Sequence, residues 1–222
     1  MSAGFVVAVD GPAGSGKSTV SDQVAAALGF VKVNTGALYR CIALAGQRAG
    51  LSPDDELEMG AVARRIEIQF DGDRVFLDGE DVSQSIRAPE ISSFASISSA
   101  LGSVRSAILE EQRRLGRQEP GAVLEGRDIG TVVFPDADLK VFLTASPQER
   151  ARRRHEQLKA QGEHHDLADL LEQIIARDAR DRSRSEAPLV QAKDARELVT
   201  DGLTIDQVVD LIVSWAQEEQ DP

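Results

Sequence analysis

Short, nearly continuous apolar runs separated by longer amphipathic stretches set the plan of this chain. Residues 5–9, 31–33, 122–124, 139–143 and 198–199 form such runs, the pattern of strands buried on both faces. Between most of them, apolar positions recur at three- and four-residue spacing. That spacing predicts helices over 17–28, 37–49, 53–65, 104–117, 147–161, 167–184 and 205–217. In the first of these, Val20, Val24, Ala27 and Leu28 share a face and Gly29 ends the pattern. Pro53 and Pro147 fit first-turn positions behind Ser52 and Ser146 as N-caps. Alternating strands and helices predict a three-layer α/β fold with a parallel sheet.

One stretch departs from that alternation. Residues 66–70 alternate apolar and polar side chains, Asp71-Gly-Asp73 offers a turn, and Arg74-Val-Phe-Leu resumes strand character. This is an antiparallel hairpin signal, and it marks about 66–100 as an inserted subdomain. The serine-rich segment 92–99 reads either as a linker or as small residues suited to close approach of a ligand.

Between the first strand and first helix lies Gly11-Pro-Ala-Gly-Ser-Gly16-Lys17-Ser18. It fits the phosphate-loop pattern G-x-x-x-x-G-K-[ST], in the strand–loop–helix setting the pattern needs. Such a loop turns its amides toward one point at a helix N-terminus. Gly11, Pro12, Ala13, Gly14, Ser15, Gly16, Lys17, Ser18 and Thr19 are therefore expected to hold a nucleoside triphosphate. Lys17 would reach the β- and γ-phosphates, and Ser18 would ligate Mg²⁺.

The 222 residues carry a net charge of −12 and are 41% apolar, which suits one large domain, with or without a small insert, and argues against a nucleic-acid or anionic-membrane surface. A polyanionic ligand then requires locally concentrated positive charge. Cys41 is the single cysteine, so no internal disulfide forms, and no run reaches membrane-spanning length; the expectation is a cytoplasmic protein. Two clusters supply cations: Arg150, Arg152, Arg153 and Arg154, and the four arginines of Arg177-Asp-Ala-Arg-Asp-Arg-Ser-Arg184. At helical spacing Arg177, Asp181 and Arg184 share a face. That face is either a solvated row of ion pairs or a phosphate site. Two further motifs follow strands. In Asn34-Thr-Gly-Ala-Leu-Tyr-Arg40, Thr35 is a candidate helix cap. Glu125-Gly-Arg-Asp-Ile-Gly-Thr131 leaves its strand on the sheet edge where open parallel sheets place ligands.

Taken together, V-D-G-P-A-G-S-G-K-S (9–18), N-T-G-A-L-Y-R (34–40), G-E-D-V-S (79–83), G-R-D-I-G-T-V-V-F-P-D-A (126–137) and R-D-A-R-D-R-S-R (177–184) resemble the bacterial cytidylate kinases, over almost the whole chain. The resemblance implies a nucleoside monophosphate kinase fold: a five-stranded parallel sheet, a mobile acceptor-binding subdomain and a short lid at about 153–166. It implies transfer of a phosphoryl group from ATP, with Mg²⁺, to CMP or dCMP, by a monomer with no nucleic-acid or membrane partner. Residue by residue, it assigns Thr35, Arg40, Arg127 and Arg184 to the acceptor phosphate, with Arg177 in the same set. It assigns Asp181 to the ribose hydroxyls, Ser96, Arg105 and Asp128 to the cytosine, and Arg153 and Arg154 to the lid. Lys17, Arg127, Arg177 and Arg184 would act on the transferring group. The competing readings are a kinase for another small acceptor such as UMP, AMP or shikimate, a non-catalytic nucleotide-binding protein, and a GTPase-like switch. The last lacks its guanine-reading N-K-x-D at Thr144-Ala-Ser-Pro147.

Overall fold

The computed structural model describes residues 4–72 and 74–221. The elements follow in the order β1 (Phe5–Asp10), α1 (Lys17–Leu28), β2 (Val31–Asn34), α2 (Thr35–Arg48), α3 (Glu56–Arg65), β3 (Ile68–Asp71), β4 (Arg74–Leu77) and β5 (Glu80–Asp81). After a short 3₁₀ turn come α4 (Pro89–Ser98), α5 (Gly102–Gly116), β6 (Gly121–Gly126), β7 (Leu139–Thr144), α6 (Pro147–Ala160), α7 (Leu167–Ser183), β8 (Arg196–Val199) and α8 (Ile205–Gln220). The chain divides into two compact units, one built from the residues up to Val33 and from Leu115 onward, the other from Asn34–Arg114. The span 66–100 read from the hairpin forms the middle of the second unit.

The first unit holds the five-stranded parallel sheet of a three-layer α/β fold, in the order β2-β6-β1-β7-β8. β1 lies at the centre because it is the most uniformly apolar strand, with Val7, Ala8 and Val9 fully buried. Its parallel register with β6 sets Asp10 opposite Gly126. Gly11 and Arg127 therefore leave the sheet side by side. Val20 and Val24 of α1 and Val208, Ile212 and Ala216 of α8 close over Val9, Val123, Val141 and Leu143 of the sheet. Each of the valine, leucine and isoleucine side chains contributes roughly 1.5–3 kcal/mol by leaving water.

The second unit has its own core, in which Cys41 and Leu44 of α2 meet Val75 and Leu77 of β4, Val82, Ile86, and Ile91 and Ala95 of α4. The hairpin is present as β3 and β4, paired antiparallel from Ile68–Leu77 to Asp71–Arg74, and β5 adds a third short strand. Asp73, in the turn read from the sequence, lies outside the described residues.

Three local expectations are corrected. The serine-rich segment is no linker: Pro89 opens α4 in its first turn, and Ile91 and Ala95, one turn apart, supply the apolar face. α3 begins at Glu56 behind Asp55, whose carboxylate accepts from the Glu58 amide, so Pro53 and Ser52 precede the helix instead of opening it. Asn34, not Thr35, caps α2 by accepting from the Ala37 amide; Thr35 is already helical. Ser146 and Pro147 hold the cap and first-turn places expected of them.

Candidate active site

The loop between β1 and α1 turns on glycine. Gly14 and Gly16 have φ of 78° and 93°, a left-handed region that side chains disfavour. A β-carbon on Gly11 would collide with the Leu143 carbonyl oxygen of the neighbouring strand. Gly16 is also the N-cap of α1 and offers it no side chain, and the first turn holds no acidic residue. By contrast α2, α3, α6, α7 and α8 each have a capping side chain. The first amides of α1 are thus left for an anion from outside the chain.

Lys17 is folded onto this loop, with Nζ donating to the Pro12 carbonyl at 2.6 Å and to Ser15 Oγ at 3.3 Å. Burial, and then the nearby Arg127 guanidinium, hold its pKa well below the usual lysine value. Ser18 and Thr19 are exposed at the start of the helix. Ser18 Oγ accepts from Lys32 Nζ at 3.1 Å. The same ammonium lies 3.8 Å from Glu125 Oε1 and 2.5 Å from Asp22 Oδ1. A cation therefore already sits where the Ser18 hydroxyl and the Glu125 carboxylate converge, and these hard oxygen donors suit Mg²⁺. Among the described residues no three His, Cys, Asp or Glu side chains gather to bind a metal unaided, so the remaining ligands would be phosphate oxygens and water. The sequence reading left Glu125 out of the metal set; its place beside the end of β1 was the available signal.

The arginine motif on α7 gathers around one carboxylate. Asp181 accepts from Arg127 Nε at 3.0 Å and from Arg184 Nη2. Burial alone would raise its pKa, but Arg127, Arg184 and Arg177 together hold it below the usual carboxylate value. Arg177 is pushed down to about 10, first by burial and then by the charge of Arg127, and its Nε is buried without a hydrogen-bond partner among the described residues. Three guanidiniums thus share one carboxylate, with Lys17 close enough to feel two of them. Four cations are thus concentrated in one place on an acidic protein, with Asp10 and Glu125 also acting on Lys17. Arg184 is not on the helical face expected of it. α7 ends at Ser183, and Arg184 has an extended backbone, with φ −58° and ψ 138°. It reaches Asp181 from beyond the helix end.

Asp10 and Asp128 belong to the same region, and Asp10 escaped the sequence reading. Its buried carboxylate accepts from the amides of Ile129 and Gly130 at 2.9 and 2.7 Å. Burial raises its pKa to about 6 despite those bonds. It ties the end of β1 to the connection that follows Arg127. Asp128 is buried, and its charge contributes to the shift on Asp10.

The second arginine cluster divides by position on α6. Arg150 is buried and meets Asp178 and the glycine loop. Arg152 pairs with Glu149 and Glu156 on the exposed face, and Arg154 reaches Gln157 there. Arg153 donates to the Thr200 hydroxyl and carbonyl and passes 3.9 Å from where a β-carbon on Gly16 would lie. Of the two expected lid arginines, then, Arg153 is brought to the loop and Arg154 is not. Residues 153–160 complete α6 and form no separate element.

Within the second unit, α2, α4 and α5 carry the other expected residues. Thr35 and Ser96 are buried. Arg40 Nε donates to the Gly36 carbonyl at 3.1 Å. Arg105 donates to the Ser99 carbonyl and stacks 5.5 Å over the Tyr39 ring, which links α5 to α2 and adds Tyr39, a residue the sequence reading passed over.

The family model described as cytidylate kinase matches residues 7–218, which takes in the glycine loop, the Arg127 segment and the arginine motif alike. The chain belongs to the cytidylate kinase family. A cytidylate kinase from Chromobacterium violaceum is 50% identical over 215 residues, spanning 97% of this chain and 96% of its own. One from Cupriavidus necator is 49% identical over 210 residues, spanning 95% and 94%. Among solved structures, an uncharacterized protein from Eubacterium ventriosum shares the fold, with a TM-score of 0.52 at 11% identity over 96% of this chain and 98% of that one. Family membership therefore rests on matches that run through both units.

Proposed function

We propose that this chain transfers the γ-phosphoryl group of ATP to CMP or dCMP, giving ADP and CDP or dCDP. The observation that carries the reading is the concentration of Lys17, Arg127, Arg177 and Arg184, the three arginines around the buried carboxylate of Asp181, on a chain of net charge −12. Phosphoryl transfer needs no protein nucleophile. The acceptor phosphate oxygen attacks the γ-phosphorus in line, and the enzyme contributes position and positive charge. The glycine loop and the uncapped amides of α1 hold the donor phosphates, with Arg153 beside them. Ser18 and Glu125 would hold Mg²⁺, which would neutralise charge developing on the phosphates.

In the first unit, Arg127, Arg177 and Arg184 face the acceptor phosphate and the group in transit, and Asp181, as well as orienting them, is offered to the ribose hydroxyls. In the second unit, Thr35 and Arg40 contact the acceptor phosphate and Ser96 and Arg105 the base. Asp128 accepts from the cytosine amino group, as carboxylates do in reading that base. Uracil would set a carbonyl oxygen against the same charge. Residues 66–100 serve the acceptor and 153–166 act as a lid. The enzyme works as a cytoplasmic monomer; its one cysteine is buried, and no described helix is long and apolar enough to cross a membrane.

The test is kcat/KM for CMP, dCMP, UMP and AMP in the native enzyme and in Asp128→Asn. CMP and dCMP are expected to lead. The amide, which can turn a donor or an acceptor to the base, should narrow the CMP-to-UMP gap mainly by losing CMP activity. Preference of the native enzyme for UMP or AMP overturns the assignment. An unchanged gap in the variant removes Asp128 from base reading.

A further inference from the structure

Arg150 is among the largest fully buried side chains of the protein, and the reaction outlined above gives it no task. Its guanidinium is used almost completely. Nε donates to the Ala145 carbonyl at 3.0 Å, Nη1 to the Ala13 carbonyl at 3.0 Å, and Nη1 and Nη2 grip Asp178 at 3.0 and 2.5 Å. The bond to Ala13 matters because that carbonyl lies inside the glycine loop. A trans peptide is planar, so its C=O and the following N–H point in opposite directions. Anchoring the Ala13 oxygen therefore fixes where the Gly14 amide aims. Gly14 itself lies over Arg150, with 3.5 Å between its missing β-carbon and Cβ of the arginine, and its left-handed backbone has no side chain to hold it.

We propose that Arg150, braced by Asp178, is a positioning residue for the donor phosphates: it orients the Ala13–Gly14 peptide so that the Gly14 amide is presented to ATP. The inference rests on the reading of ATP as the donor. A bidentate, planar fork suits the task, because one side chain must satisfy a carboxylate and two carbonyls in fixed directions. A lysine offers a point charge and no such fork. The rival role is purely structural, a buried ion pair joining α6 to α7.

The two roles separate in a double variant. Removing Arg150 alone strands a buried carboxylate and destabilises the fold, so Arg150→Met by itself is ambiguous. Arg150→Met with Asp178→Leu removes both charges and fills the space with apolar groups, an exchange that buried pairs often tolerate. The expected result is a melting temperature within a few degrees of native, an ATP Kd by calorimetry weakened about tenfold or more, and a CMP KM within about twofold of native. A double variant that binds ATP within twofold of native overturns the inference, as does a parallel loss of ATP and CMP affinity. Should that variant fail to fold, Arg150→Lys retains a charge for Asp178. ATP binding weakened about fivefold or more, with CMP KM unchanged, is then expected, and native ATP affinity in the lysine variant overturns the proposal. A native enzyme that does not bind ATP overturns the donor reading and this inference with it; native ATP binding matched by the double variant overturns this inference alone.

Discussion

Asp10 shows how one buried carboxylate can shape a site through the backbone. It holds the amides of Ile129 and Gly130 and so fixes the segment leading away from Arg127 and Asp128. Burial raises its pKa from 3.8 to about 6, so the folded protein binds a proton there that the unfolded chain has released. Its contribution to stability accordingly falls as pH rises from about 4 to about 6, and is level above that. Between pH 5 and pH 7.5 the native protein should lose about 1–1.5 kcal/mol of stability relative to Asp10→Asn, which has no such proton to bind. Urea unfolding of both proteins at the two values measures it. Equal pH dependence in the two would mean that Asp10 titrates normally.

At the level of elements, α7 and its end carry the sharpest contrast. Arg184 turns back on Asp181 from beyond the helix, while Arg182, two residues earlier, is exposed. Arg184→Ala should lower kcat by on the order of 100-fold, as loss of an electrostatic stabiliser commonly does, and Arg182→Ala should change it little. Steady-state kinetics decide the matter: small, equal effects would return the motif to a surface row of ion pairs. Most elements could be read from apolar periodicity, because each long helix and each sheet strand buries one consistent pattern. What escaped depended on partners distant in the chain. Within one run, Arg150 goes to the core and Arg152 to solvent, and local sequence registers only four neighbouring cations. The α4 segment was ambiguous for a different reason. Serines at 92, 93, 96, 98 and 99 mask a helix whose burial comes from Ile91 and Ala95. Asn34 and Asp55 displaced the expected caps because a cap is chosen by where the chain leaves its preceding segment, which composition does not record.

For the whole molecule, the division into two units with separate cores sets what a distant substitution can reach. Lys17, Ser15, Arg150 and Asp178, which shape the glycine loop, lie in the first unit. Ile91→Ala, which empties part of the second core, should cost about 2–5 kcal/mol of stability and leave the ATP Kd within about twofold of native. Calorimetric melting with ATP titration checks both, and a matching loss of ATP affinity would show that the loop depends on the second core. The family and the phosphate loop were legible from contiguous motifs, whereas the braces behind them were not, since their partners are far apart in the chain. The Ala13 carbonyl is met by Arg150, 137 positions later, and Asp10 by amides 119 and 120 positions later. The order of synthesis therefore runs against the order of assembly. The glycine loop leaves the ribosome early with Ser15 and Lys17 already in it, but Arg150 and Asp178, which brace it, arrive only with the later helices, so a growing chain carries its most recognisable motif long before that motif can grip a nucleotide.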